Sequence, residues 1–162
     1  MPRIIVDVHN WTWFTVDRAV GRNAPNDRLD VLLVQFLLFL ATKSELAVPQ
    51  TLVPQTLVPR GLRVATPLFR ATTRAHPKPE GQIVIDGICG DQTIGFIEYY
   101  QESMQLRNEG WGELNGQVAP LWNIATKTMA RLNFQPSRLT PGTLAQSDAF
   151  PQELNNSFYF YL

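Results

Sequence analysis

From Val31 to Ala41 every side chain but one is apolar, and the exception is Gln35. A helix built on this run has no full polar face, yet the run is about half of the ~20 apolar residues that a membrane span needs. It is therefore either a core helix covered on several sides or a helix that keeps one face for a partner. The turn Asn23-Ala24-Pro25-Asn26-Asp27 precedes it, so the helix is expected from Leu29 to about Lys43, with Asn26 or Asp27 as N-cap. Gln35 is expected to bond a backbone group of a neighbouring turn, because buried amides are almost always satisfied.

The stretch from Gln82 to Met104 reads as a β-type entry, a tight turn and then a second, amphipathic helix. Thr93, Phe96, Ile97, Tyr100 and Met104 recur at the spacing of one helical stripe, and Glu98, Gln101 and Glu102 fall outside it. Ahead of the helix, Ile83 to Ile85 reads as a β-type lead-in to a tight Asp86-Gly87 turn. Gly87 and Gly90 fit positions that need positive φ or close backbone approach. Asp91 at the helix start meets the unpaired N–H groups there.

The string Asp86-Gly87-Ile88-Cys89-Gly90-Asp91-Gln92-Thr93, followed by Ile97, Tyr100 and Gln101, resembles the D-G-x-F-G-x-x-T-x-x-A-V-x-x-F-Q signature of peptidoglycan-binding-like domains. Asp30, Val31, Val34, Gln35 and Leu38 match that family's earlier D-V-x-x-L-Q-x-x-L pattern. A third segment, Asn115-Gly116-Gln117-Val118-Ala119-Pro120 with Thr128, Leu132 and Asn133, is similar to its D-G-x-V-D-P…T…L-N segment. Cys89, Phe96 and Ala119 depart from the usual aromatic, small and acidic residues. The resemblance runs from Val20 to Asn133 and implies a mainly α fold, a three-helix core. It also implies a non-catalytic module that recognises bacterial cell-wall glycan or stem peptide. The residues carried over to binding are Asp86, Thr93, Tyr100 and Gln101; Gly87, Gly90, Val31, Val34, Gln35 and Leu38 are carried over as structural.

One domain of 162 residues is expected, with a Pro-rich insertion at 45–80 and small β elaborations at 1–16 and 157–162. Arg3–Val8 and Trp11–Val16 read as short strands, and the alternation of Ser157–Leu162 makes it their neighbour in a small sheet. The insertion carries VPQTL, VPQTL and VPRGL in succession, and proline at every fifth position excludes a helix or a central strand. It is either a docking surface or a solvated linker. Trp111, between Gly110 and Gly112, is either a platform that stacks on a sugar face or a plug over the core. Leu121–Leu132 reads as a third helix, and 133–151 as a turn-rich wrap.

Net charge is zero, which argues against a nucleic-acid partner. One cysteine, Cys89, rules out an intrachain disulfide and a Cys-based zinc cluster. No H-E-x-x-H, G-x-S-x-G or G-x-x-x-x-G-K string occurs, and Glu98 and Glu102 at i, i+4 read as a solvated stripe. His9 and His76 have no acid, nucleophile or ligand at readable spacing. No enzyme activity, cofactor or metal is expected. The first residues lack a signal-peptide pattern, since Asp7, His9 and Asn10 interrupt any apolar core. The expectation is synthesis in the cytoplasm, with a non-classical route to the periplasm or to a particle. In that setting an adaptor or structural subunit of a phage particle or a secretion or injection apparatus is the alternative to wall binding.

Overall fold

The computed structural model describes residues 1–6, 12–47, 75–107, 114–121, 127–133, 150–155 and 159–161. Along the chain run β1 (Arg3–Val6), β2 (Thr12–Thr15), β3 (Val20–Gly21), α1 (Arg28–Ala47), α2 (Asp91–Arg107), β4 (Gln117–Val118), α3 (Lys127–Asn133), α4 (Gln152–Asn155) and β5 (Tyr159–Tyr161).

α1 is the axis of the molecule. Val31, Leu33, Val34, Phe36, Leu37 and Leu38 are all fully buried, and only Phe39 and Leu40 in that run are partly covered. Cover comes from α2, α3, α4 and β3, each of which packs on α1. The core-helix reading of the apolar run therefore holds. Phe36 meets Phe150 edge to face, with ring centroids 5.0 Å apart and planes at 85°.

The mainly α, three-helix core expected from the resemblance is not what the chain forms. Its described residues are an α/β mix, with four helices and two small sheets. The physical reason is the amount of cover that α1 demands, since α3 and α4 are short and leave much of its surface to other elements. Ile4, Phe14, Val16, Val20 and Val118, from the strands and the turns beside them, join the same hydrophobic cluster. In the first sheet, ordered β2-β1-β5, β1 runs antiparallel to β2 (Ile4 opposite Phe14) and parallel to β5 (Ile4 opposite Phe160). The second sheet pairs β3 with β4, Val20 opposite Val118.

Of the two expected cap positions of α1, the structure takes Asp27, and α2 starts at Asp91 as expected. The Val31 amide donates to the Asp27 carbonyl, so α1 starts behind Asp27, and Asn26 is not its cap. Asn26 sits at φ 57° and closes the preceding turn, its side chain bonding the Gly21 amide and carbonyl and the Ala24 carbonyl. Ile83–Ile85 joins neither sheet. Side-chain amides take the place of a ladder there: Val84 N donates to Gln92 Oε1 and Asp86 N to Gln35 Oε1. α4 stands just past the expected turn-rich wrap, where no helix was anticipated.

Candidate binding site

Each long helix sends one buried side-chain amide into the loop that leads to the next helix. On α1, Gln35 Nε2 lies within hydrogen-bonding distance of Asp86 Oδ1 (3.0 Å), the Ile88 carbonyl (3.1 Å) and Thr93 Oγ1 (3.0 Å). Its Oε1 accepts from the amides of Asp86 (3.1 Å) and Gly87 (2.8 Å). On α2, Gln101 Nε2 reaches Asn115 Oδ1 (3.2 Å), the Gln117 carbonyl (2.7 Å) and Thr128 Oγ1 (3.1 Å), while Oε1 accepts from Gly116 N (2.9 Å). The two constructions correspond atom for atom in most contacts. Each is a glutamine, an Asp or Asn followed by a glycine, and a threonine on the element beyond.

The turns themselves correspond as well. Asp86 Oδ1 accepts from the Ile88 amide at 2.9 Å, and Asn115 Oδ1 from the Gln117 amide at 2.9 Å, the side-chain-to-backbone closure that Asp and Asn favour. Gly87 and Gly116 sit at φ 74° and 67°, where a side chain is strained.

α3 continues the series and returns it to the first sheet. Asn133 Oδ1 accepts from Phe14 N at 2.6 Å and its Nδ2 donates to Phe14 O at 2.8 Å, so one amide stands in for a neighbouring strand along the outer edge of β2. An edge blocked in this way offers fewer free groups to a second sheet. On α1, buried Asp30 accepts from the amides of Asp17 and Arg18. Burial pushes its carboxyl above the ordinary range, and those two amides work against the shift. The sequence gives a signal for Gln101, a polar residue next to a core stripe. It gives none for the partner of Asn133.

Among the residues read as binding, Thr93, Tyr100 and Gln101 are buried, at 2%, 7% and 2% exposure. They hold the fold and present no surface to a ligand, and Tyr100 belongs to the core cluster. Asp86 is exposed, and hydrogen bonds from Gln35, then from the Ile88 amide, hold its carboxyl below the usual carboxylate range. Trp111 lies outside the described residues, as do His9 and most of the insertion. Of the structural set, Gly87, Val31, Val34, Gln35 and Leu38 are buried and Gly90 is exposed.

What faces solvent around the turns is the apolar Val84 (53% exposed), Ile88 (64%) and Leu114 (51%), with Asp86 and Asp91. Arg28 stands beside the first turn, donating to the Asp86 carbonyl at 2.7 Å and pairing with Glu153 at 3.0 Å. Beside the second, Arg22 pairs with Glu98 at 2.6 Å, and His76 Nδ1 lies 3.3 Å from the other Glu98 oxygen. Glu98 and Glu102 are therefore engaged, since Glu102 also accepts from the amides of Ala75 and His76. The half-buried Cys89 thiol is pushed up by burial, away from the reactive thiolate. No group of His, Cys, Asp and Glu among the described residues could hold a metal ion, and no described helix is long and apolar enough to cross a membrane.

No family model matches this chain, and neither a curated protein nor a solved structure does.

Proposed function

We propose that the chain is a non-catalytic binding module that resembles peptidoglycan-binding domains and takes cell-wall glycan or stem peptide on the surface around its clamped turns. One observation carries the reading: the residues on which the resemblance rests, Gln35 with Asp86-Gly87 and Thr93, and Gln101 with Asn115-Gly116 and Thr128, form two equivalent supports. A hydrogen-bonded first turn that presents Asp86 and Ile88 to solvent, and a Trp111 close in sequence to the second turn, suit a ligand with both hydroxyls and apolar ring faces. Co-sedimentation with isolated sacculi tests it. The wild-type chain pellets saturably and is competed off by soluble wall fragments, while Ile88→Asp and Trp111→Ala each weaken pelleting by about tenfold or more. Absence of pelleting by the folded wild-type chain rejects the wall ligand.

A second reading rests on the exposed apolar trio Val84, Ile88 and Leu114. The same turns would then serve a protein contact in an adaptor or structural subunit of a phage particle or a secretion apparatus. Light scattering on the same sample separates the two, because this reading requires a defined oligomer or a stoichiometric complex and no pelleting.

A further inference from the structure

We propose that Asn115 is a site of spontaneous deamidation, gated by Gln101, whose aspartate product the turn accepts without refolding. In this reaction the Gly116 amide nitrogen attacks Asn115 Cγ, a carbon–nitrogen bond forms, and the Cγ–Nδ2 bond breaks. Ammonia leaves carrying the proton that Gly116 N gives up. Water then opens the resulting succinimide to aspartate or isoaspartate, so the sum is an amide plus water going to a carboxylic acid plus ammonia, with no change of oxidation state.

Asn115-Gly116 is the one Asn-Gly pair in the chain, and glycine leaves the attacking nitrogen unhindered. Asn115 is exposed to the water that the second step needs. The attacking amide and the amide group it attacks are nevertheless both tied down. The Gly116 N–H is held by Gln101 Oε1 at 2.9 Å, and Asn115 Oδ1 is held by Gln101 Nε2 at 3.2 Å and by the Gln117 amide at 2.9 Å. The ring therefore closes only when this turn opens locally.

The first turn shows what the product does. Asp86 occupies the place of Asn115, and its Oδ1 takes the same two contacts, from a glutamine Nε2 and from the amide two residues on. An aspartate at 115 keeps both. Isoaspartate lengthens the backbone and cannot hold Gly116 N on Gln101. Asp86-Gly87 is spared the same chemistry, because an aspartate is ionised at mildly alkaline pH and a carboxylate is a poor electrophile. Deamidation thus adds a negative charge to a turn whose glycine packs against Glu98.

The test is peptide mapping by mass spectrometry of the full chain incubated in mildly alkaline buffer, for the wild type, Gln101→Ala and Gln35→Ala. Wild-type Asn115 converts slowly; Gln101→Ala converts about tenfold faster and Gln35→Ala stays within about twofold of the wild type. Gln35→Ala is the control for general loosening, so equal acceleration in both variants, or in neither, overturns the gate. Complete resistance of wild-type Asn115, with conversion elsewhere, overturns the site. Asn115→Asp supplies a measurement that does not depend on the Gln101 variant folding: it should keep the wild-type thermal midpoint, and a large drop would overturn the tolerance of the product.

Discussion

The two glutamine-clamped turns share a hydrogen-bond plan and differ in charge and support. The first is built on an ionised Asp86 and leans on side chains, with Arg28 and Leu32 packed against Gly87. The second is built on a neutral Asn115 and leans on backbone, since β4 pairs with β3 and Gly116 O accepts from Arg22 N at 2.9 Å. Gln35 also serves one more backbone amide than Gln101 does. The same device can therefore be made acid-sensitive or acid-indifferent by one atom, Oδ2 in place of Nδ2.

Removing the clamps is the strongest way to break the likeness. Gln35→Leu leaves the amides of Asp86 and Gly87 buried or half-buried without an acceptor, and should lower unfolding free energy by about 3–5 kcal/mol in a denaturant titration. Gln101→Leu orphans one amide and should cost less, about 2–3 kcal/mol. Next comes Gly21→Ala, which strikes the second turn alone. A Cβ there would lie 2.0 Å from the Gly116 carbonyl oxygen at φ 126°, so β3 and β4 must part, at a cost on the order of 3 kcal/mol. Hydrogen exchange should then speed up at Gly116 and leave Gly87 protected.

Acid sharpens the contrast. Asp86 has a folded pKa below its ordinary 3.8, so its contribution is present above that value and is lost as pH falls through the folded one. Asp86→Asn should cost about 1 kcal/mol or less at neutral pH, given how exposed the group is, and the gap to the wild type should close on acidification. Asp30 acts with the opposite sign. Its raised pKa gives a contribution that is fully present below 3.8 and declines as pH rises through the folded value. The smallest effect belongs to Glu153→Gln, which removes an exposed pair with Arg28 and should leave the thermal midpoint where it is.

Much of the helical frame was readable in advance, because α1 and α2 are long and their patterns unambiguous. The lone Gln35 in an apolar run pointed to a turn, and it holds one. Tyr100, expected as a contact residue, lies in the core, where its place on the stripe of Phe96 and Ile97 puts it. The remaining misses have a common cause. β3 and β4 are two residues each, too short to show alternation, and they exist because the second turn brings Val118 beside Val20. Asn133 on β2 is a contact across 119 positions, and no local pattern encodes it. Ile83–Ile85 forms no strand, and side chains meet the amides there and just beyond, Gln92 that of Val84 and Gln35 that of Asp86.

Glu102 has a consequence for how this chain tolerates change. Its carboxylate grips two successive amides, at Ala75 and His76, and so moors the returning chain on α2 within the last residues of the proline-rich insertion. With α1 locked in the core on the other side, length added or lost between Ala47 and Ala75 need not propagate into either helix. The repeated pentapeptide lies in that interval, so deletion of one copy is expected to leave hydrogen-exchange protection at Gly87 and Gly116 unchanged.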